Sequence, residues 1–257
     1  LATLDLDPLP EQRDRIEQEI RTELAKLWQT DFIRPWRPTV MQEVSRGLSI
    51  KPVLWNEIPR LDEELRRGIT ENYGDAVRLN RPCLTFGSWI GGDRDGRPGV
   101  TEAVTRETVN WLRREALEFH LKTCVACFNA LSLSSQHVPL NDSLQIAISL
   151  AESKYPDLKD RVCSLPPGEL CRRWLATIGW RLERSQQALL SGSNVEPSAS
   201  NLDSGASRAA DELATDVRLL VEALQTTPAG EYGAISLRQW LVQIETFGLH
   251  LARLDVR

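Results

Sequence analysis

Apolar residues recur every three or four positions through most of this chain, which is the spacing of one face of an α-helix. The pattern predicts seven helices, over residues 10–29, 53–72, 101–134, 142–154, 168–190, 209–226 and 233–247. The third helix is the longest and would extend for about 50 Å at the usual rise of an α-helix. Such lengths predict a mainly α fold built as a large helical scaffold.

Two of these helices have clear local signals. In the helix over 53–72, the predicted inward stripe ends before Gly74 and is bent by Pro59, and it comprises Val53, Leu54, Ile58, Leu61, Leu65 and Ile69. In the helix over 101–134, Thr101 stands at the N-cap position. Its predicted inward side comprises Val104, Val109, Leu112, Leu117, Leu121, Val125, Phe128 and Leu131.

Two stretches favour short strands instead. Residues 83–90 are rich in strand formers and lie between turn-forming residues. Near the end of the chain, Leu249, Leu251, Leu254 and Val256 indicate a buried strand whose polar end begins at Asp255. The fold class is therefore mainly α, with long amphipathic helices and one or two short strands.

Residues 191–208 have a different composition, dominated by Ser, Gly, Asn and Pro. So few apolar side chains cannot offset the entropy of ordering the backbone, so we expect a mobile loop. Helices of the same kind flank it on both sides. Residues 1–257 are accordingly expected to form a single helical domain.

Composition then excludes some classes of partner. The 257 residues are 26% charged and 41% hydrophobic with a net charge of −5, and no basic block argues for nucleic acid. No apolar run approaches the roughly 20 residues of a membrane helix. Five cysteines without a regular framework fit a reducing compartment. Because the chain opens on Leu1 rather than Met, we expect it to be a piece of a longer protein.

A C-x-x-C pair, Cys124 and Cys127, follows His120 by four residues and would share a helix face with it. Zinc can use three such ligands, but the sequence offers no obvious fourth. Burial of these residues as small hydrophobic groups is the favoured interpretation. A zinc-binding helical domain remains an alternative that metal analysis would test.

The strongest candidate site is the glycine-rich loop after the first strand, over residues 91–99. Its charges are Asp93, Arg94, Asp95 and Arg97, and it matches neither a P-loop nor the G-x-G-x-x-G fingerprint. Alternating charges can form a self-neutralising turn on the surface. They can also hold an arginine between two carboxylates, oriented to receive an anion.

The complete run of residues 86–101 is more informative than the charged loop alone. The run F-x-S-W-x-G-G-D-R-D-G-x-P-x-V-T resembles the signature of phosphoenolpyruvate carboxylase, and it is formed by Phe86, Ser88, Trp89, Gly91, Gly92, Asp93, Arg94, Asp95, Gly96, Pro98, Val100 and Thr101. Arg97 departs from the pattern, since the family usually has Asn there.

Two further stretches carry the resemblance. One is similar to the family's T-D-x-I-R-x-x-x-P-T element with its following helix, through Thr30, Asp31, Ile33, Arg34, Pro38, Thr39, Glu43 and Gly47, although Gln42 replaces a usual acid. The other resembles F-G-x-x-L-x-x-L-D-[IV]-R, through Phe247, Gly248, Leu251, Leu254, Asp255, Val256 and Arg257.

The resemblance implies a fold and a reaction. The fold would be a fragment of a helix-rich α/β barrel. The parent enzyme would be a lyase that joins bicarbonate to phosphoenolpyruvate with Mg²⁺ or Mn²⁺, giving oxaloacetate and phosphate. Arg257 would bind the substrate phosphate, while Trp89 and the loop Asp93, Arg94, Asp95 and Gly96 would lie near the bicarbonate region. Arg94 is expected to brace that loop.

Other catalytic parts of the family have no counterpart in this sequence. None of His120, His137 and His250 sits in a T-x-H-P-T motif, and no G-R-G-G-S loop, catalytic lysine or metal-binding carboxylate of the family is recognisable. We therefore predict that the chain alone is inactive and binds no metal. The parent would be a cytoplasmic homo-oligomer without nucleic-acid or membrane partners. The alternative function is a helical scaffold or interaction domain without catalysis.

Overall fold

The protein is described by a computed structural model over residues 10–29, 37–77, 79, 81–95, 97–135, 142–190, 209–225, 227 and 230–257. The described part is mainly α-helical with two short strands, as the sequence predicts. In chain order its elements are α1 (Pro10–Trp28), α2 (Val40–Gly47), α3 (Lys51–Tyr73), β1 (Gly87–Ser88), α4 (Glu102–Ala130), α5 (Asp142–Lys154), α6 (Pro156–Cys163), α7 (Leu170–Leu190), α8 (Ala210–Gln225), α9 (Gly230–Phe247) and β2 (Arg253–Leu254).

The chain divides into two compact units, Leu1–Thr39 and Val40–Arg257. The first unit contains α1, which confirms the predicted helix over 10–29 and has i,i+4 ion pairs such as Arg15 with Glu19 on its surface. Residues 30–36, which include Thr30, Asp31, Ile33 and Arg34 of the second resemblance, lie outside the described residues.

The second unit is organised around a large apolar core shared by α4, α5, α6, α7, α8 and α9. Helix α7 lies along α4, and α8 packs against α9. Every predicted inward residue of α8 is buried, namely Leu213, Val217, Leu220, Val221 and Leu224. The predicted loop over 191–208 lies outside the described residues, so its mobility stays a prediction.

Helix α4 confirms the long helix predicted over 101–134 and its N-cap at Thr101. The Thr101 hydroxyl accepts a hydrogen bond from the Val104 amide at 3.3 Å, which satisfies one of the free amides of the first turn. The predicted inward side was wrong at two positions, since Val109 and Val125 are 43% and 57% exposed. The buried face is continued by Thr108, Ala116 and His120 and by Cys124 and Cys127, whose burial as small hydrophobic groups is confirmed.

Helix α3 extends over the predicted segment but buries a different face. Val53, Leu61 and Leu65 of the predicted stripe are exposed. The buried residues are Trp55, Ile58, Pro59 and Asp62. The indole of Trp55 decides the orientation, because it stacks on Phe119 at 5.0 Å and on Phe247 at 5.1 Å between ring centroids.

Three smaller differences concern one additional helix and the ends of other elements. Helix α6 was not predicted: it begins at Pro156, and a proline in the first turn of a helix resembles the stop signal of the helix before it. Helix α9 begins three residues before the predicted start at 233. The two strands contain two residues each, so the predicted extent over 83–90 and 249–256 was too long. None of the helices in the described residues is long and apolar enough to cross a membrane.

Candidate functional site

The two strands, distant in sequence, pair with each other. They run parallel, with Gly87 opposite Arg253 and Ser88 opposite Leu254. The Arg253 amide donates to the Phe86 carbonyl and the Asp255 amide donates to the Ser88 carbonyl, both at 2.9 Å. Because parallel strands share the direction of their carboxyl ends, the glycine loop after β1 and the segment after β2 leave the same edge of the sheet.

The loop after β1 turns sharply at Gly91. Its φ of +89° is one that side chains rarely allow, and a Cβ there would lie 2.3 Å from the Thr108 hydroxyl oxygen. The Thr105 hydroxyl donates to the Gly91 carbonyl at 2.9 Å. Two side chains of α4 therefore hold the turn, and only glycine fits between them.

Gly92 serves a different purpose, which is close approach to the second strand. A Cβ at this position would lie 2.2 Å from the Asp255 carbonyl oxygen. The Arg257 amide donates to the Gly92 carbonyl at 3.2 Å, and the Arg94 amide donates to the Arg257 carbonyl at 3.2 Å. The loop over residues 91–99, called the signature loop below, is thus hydrogen-bonded through its backbone to the last residues of the chain.

Two exposed side chains at this edge are ones that the sequence singled out, whereas Val256, predicted to be buried, is 56% exposed. Trp89 is 66% exposed, and the side chain of Arg257 is 70% exposed. The guanidinium of Arg257 contacts one carboxylate oxygen of Asp255 through Nε at 2.9 Å and Nη2 at 2.8 Å. The structure therefore brings the two predicted segments together, with an indole and a guanidinium open to solvent.

The charged loop is stabilised by its backbone and by Asp93. The Asp95 amide donates to the Asp93 carboxylate at 3.0 Å, which closes a local turn. The Arg94 side chain is exposed and forms no ion pair with another described residue, while its amide and carbonyl both bond within the site. The described contacts of Arg94 with its surroundings are thus made by its backbone, and bracing of the loop by its guanidinium stays a prediction. Gly96 lies outside the described residues.

Helix α2 supports the loop from behind, which sequence reasoning did not predict. Arg97, the departure from the family pattern, forms an ion pair with Glu43 of α2. A Cβ at Gly47 would lie 2.5 Å from Cδ1 of Ile90, so this glycine allows the helix to contact the residue before the turn. The signal was present in the resemblance, which matched Glu43 and Gly47 without assigning them a contact.

The candidate cluster His120, Cys124 and Cys127 is buried among helices α4–α9, which we call the helical layer. Trp240 Nε1 donates to His120 Nδ1 at 3.0 Å, so the ring must carry its proton on Nε2, which donates to the Gly248 carbonyl at 2.8 Å. Burial lowers the pKa of His120 from 6.5 to about 4, against the opposing effect of the Gly248 contact. Burial also raises the pKa of Cys124 to about 12 and that of Cys127 to about 11. These groups are neutral near pH 7.

No group of three His, Cys, Asp or Glu side chains is placed to hold a metal ion within the described part of the chain. At the candidate site, the Asp93 carboxylate is already used by the Asp95 amide and the Asp255 carboxylate by Arg257. The residues described here do not form a site that fits Mg²⁺ or Mn²⁺, so we derive no step through a metal.

Comparison with known proteins assigns the chain to a family. The family model described as phosphoenolpyruvate carboxylase matches residues 1–257. The chain is 32% identical over 246 residues to phosphoenolpyruvate carboxylase of Roseiflexus castenholzii and 32% identical over 250 residues to that of Xanthomonas campestris pv. campestris. The alignments cover 95% and 96% of this chain but 26% of each relative, so the chain spans about a quarter of their length. It belongs to the phosphoenolpyruvate carboxylase family.

Proposed function

We propose that this chain is the part of a phosphoenolpyruvate carboxylase that supplies Arg257 and the signature loop to the active site. The complete enzyme would join bicarbonate to phosphoenolpyruvate and release oxaloacetate and phosphate. The observation that carries this proposal is the hydrogen bonding of the Gly92 and Arg94 backbone to Arg257, which unites two separately recognised segments.

The Arg257 guanidinium is suited to bind a phosphoryl group. Its planar set of donors matches two oxygens of phosphate, and its only described ion-pair partner is the nearby carboxylate of Asp255. An exposed pair of this kind contributes at most about 1 kcal/mol. The guanidinium can therefore leave Asp255 for the dianionic phosphoryl group of the substrate at little cost, while Asp255 keeps it oriented beforehand.

The rest of the chemistry would come from other parts of the longer protein. The divalent cation of the family would stabilise the enolate and the phosphoryl groups, and the described residues offer no site for it. We propose that the chain alone is inactive, and that the complete enzyme is a cytoplasmic homo-oligomer.

The test for the chain is direct. Purified residues 1–257, supplied with phosphoenolpyruvate, bicarbonate and Mg²⁺, should form no oxaloacetate above the rate without protein. The longer protein encoded by the same gene should form it readily. An inactive longer protein would favour the alternative of a helical scaffold, and an active fragment would contradict the proposed division of the site.

The proposed role of Arg257 makes a separate prediction for the longer protein. Arg257→Gln removes the charge and the planar pair of donors, and we expect kcat/KM for phosphoenolpyruvate to fall by about ten- to a hundredfold, as for loss of a charged hydrogen bond to substrate. The control is Arg253→Gln, an exposed arginine of β2. Equal effects of the two substitutions would contradict the role of Arg257.

A further inference from the structure

A buried histidine lies where the helical layer meets the second strand. His120 is fully buried on α4, and its Nε2–H donates to the Gly248 carbonyl at 2.8 Å. Gly248 directly follows α9 and has a φ of +55°. The contact thus joins the middle of one helix to the first residue beyond another.

The segment that follows is a tight and unusual turn. Leu251 adopts a φ of 62°, a left-handed conformation that is costly for any residue that carries a Cβ. The Ala252 amide donates to the His250 carbonyl at 2.6 Å. The strand β2 begins at Arg253, two residues after Leu251, so the turn that starts at Gly248 leads directly into the strand.

The residue before Gly248 is held from both sides by aromatic rings. Phe247 stacks on Phe86 at 5.3 Å and on Trp55 at 5.1 Å between ring centroids. Phe86 in turn provides the carbonyl that accepts the Arg253 amide. The entrances of both strands therefore meet at the end of α9, next to the hydrogen bond from His120.

We propose that His120 is a positioning residue for Arg257: its Nε2–H fixes the Gly248 carbonyl, which sets the turn and the register of β2 and thereby the place of Arg257 beside the signature loop. The catalytic relevance of that position rests on the proposed function. The positioning itself can be tested without substrate.

Two substitutions separate the hydrogen bond to Gly248 from mere filling of the space. In His120→Gln the amide nitrogen can replace Nε2 and still donate to Gly248. In His120→Asn the shorter amide can replace Nδ1, accepting from Trp240, but does not reach Gly248. Both replace the ring by a neutral primary amide and differ from each other by one methylene, so they form a closely matched pair.

The measurement is amide hydrogen exchange of the purified chain at Arg253, Asp255 and Arg257, whose amides donate to Phe86, Ser88 and Gly92. We expect exchange about tenfold faster in His120→Asn, as for loss of one well-formed hydrogen bond, and less than about threefold faster in His120→Gln. Amides of α8, such as those of Leu220 and Val221, serve as the control and should change alike in both variants.

Three results would overturn the proposal: equal acceleration in the two variants, acceleration spread over α8 to the same extent, or no acceleration at the three amides. Should either variant fail to fold, the wild-type protein gives its own test. Nitrogen NMR of the His120 ring must show a proton on Nε2 and none on Nδ1 at neutral pH, and the opposite tautomer would contradict the contact.

The longer protein distinguishes positioning from catalysis. If both inferences hold, His120→Asn raises the KM for phosphoenolpyruvate more than it lowers kcat, and the KM of His120→Gln is close to that of the wild type. Fast exchange in His120→Asn with an unchanged KM would support the positioning of the segment and count against the role of Arg257 in binding substrate.

Discussion

Two adjacent glycines, Gly91 and Gly92, have different reasons to lack a side chain. Gly91 adopts a left-handed φ beside Thr108, whereas Gly92 lies against the carbonyl oxygen of Asp255. A flexible side chain can move away from an intruding methyl group, but a hydrogen-bonded backbone cannot do so without displacing its strand. Gly92 is therefore the residue on which the meeting of the two segments depends most directly.

Replacing Gly92 by alanine should separate the loop from β2. Its methyl group would lie 2.2 Å from the Asp255 oxygen, and we expect the free energy of unfolding to fall by about 2 kcal/mol or more. Urea denaturation measures this change. Gly99→Ala is the matched control, since its Cβ would meet Val40 at an ordinary 3.7 Å. A loss as large in Gly99→Ala would assign the effect to general loop strain.

A second prediction at this scale concerns pH. The pKa of His120 is about 4 in the folded protein against an ordinary 6.5, because burial disfavours the charged ring. The unfolded chain therefore binds the proton first, and this contribution to stability is complete above pH 6.5 and lost as the pH falls towards 4. The full change corresponds to about 3 kcal/mol.

Comparison with a variant isolates that contribution. Burial raises the pKa of Asp216 from 3.8 to about 6. The folded protein therefore binds this proton first, and the contribution of Asp216 to stability increases over part of the same range as the pH falls. The wild-type profile alone would mix these opposite effects. Urea denaturation at pH 7 and pH 4.5 should show a smaller loss in His120→Gln than in the wild type, and parallel profiles would refute the assignment.

How far sequence reasoning reached differs between the residues of the site. The string around Trp89 and the ending at Arg257 were recognisable because each is contiguous. The role of Gly92 was not, since it depends on Asp255, which is distant in sequence. The pairing of Arg97 with Glu43 was hidden for the same reason, as the two residues lie on separate elements.

Among the elements, α3 shows where periodicity fails. The helix has apolar residues on two faces, and a count of apolar positions favoured the one containing Leu61 and Leu65. The other face is buried because Trp55 stacks with two further rings there, and large aromatic side chains bury more area than aliphatic ones. Helix α6 was missed because a proline both ends helices and begins them.

This correction predicts unequal effects of two similar truncations in α3. Ile58 is 7% exposed and Leu61 is 49% exposed. Ile58→Ala should lower the free energy of unfolding by about 2–4 kcal/mol through the cavity it leaves, and Leu61→Ala by less than about 1 kcal/mol. Thermal or urea unfolding of the purified chain would decide, and equal losses would restore the predicted stripe, which contained both residues.

For the molecule as a whole, the helical layer could be anticipated and the sheet only in part. Helices are local, so the spacing of apolar residues predicted most of them and, for α4 and α8, their ends to within a few residues. Strand length depends on partners, and in the described residues β1 and β2 have only each other. Each therefore contains two residues rather than the eight suggested by composition.

The pairing of Gly87 with Arg253 has a consequence for how the protein is made. More than half of the chain lies between these residues, so closing that contact carries a large loop entropy and waits for the intervening helices. During synthesis on the ribosome, the signature loop emerges long before its partner. We expect pulse-labelled refolding to protect the amides of α8 before that of Arg253, so that the junction of β1 and β2 is the last part of this unit to mature.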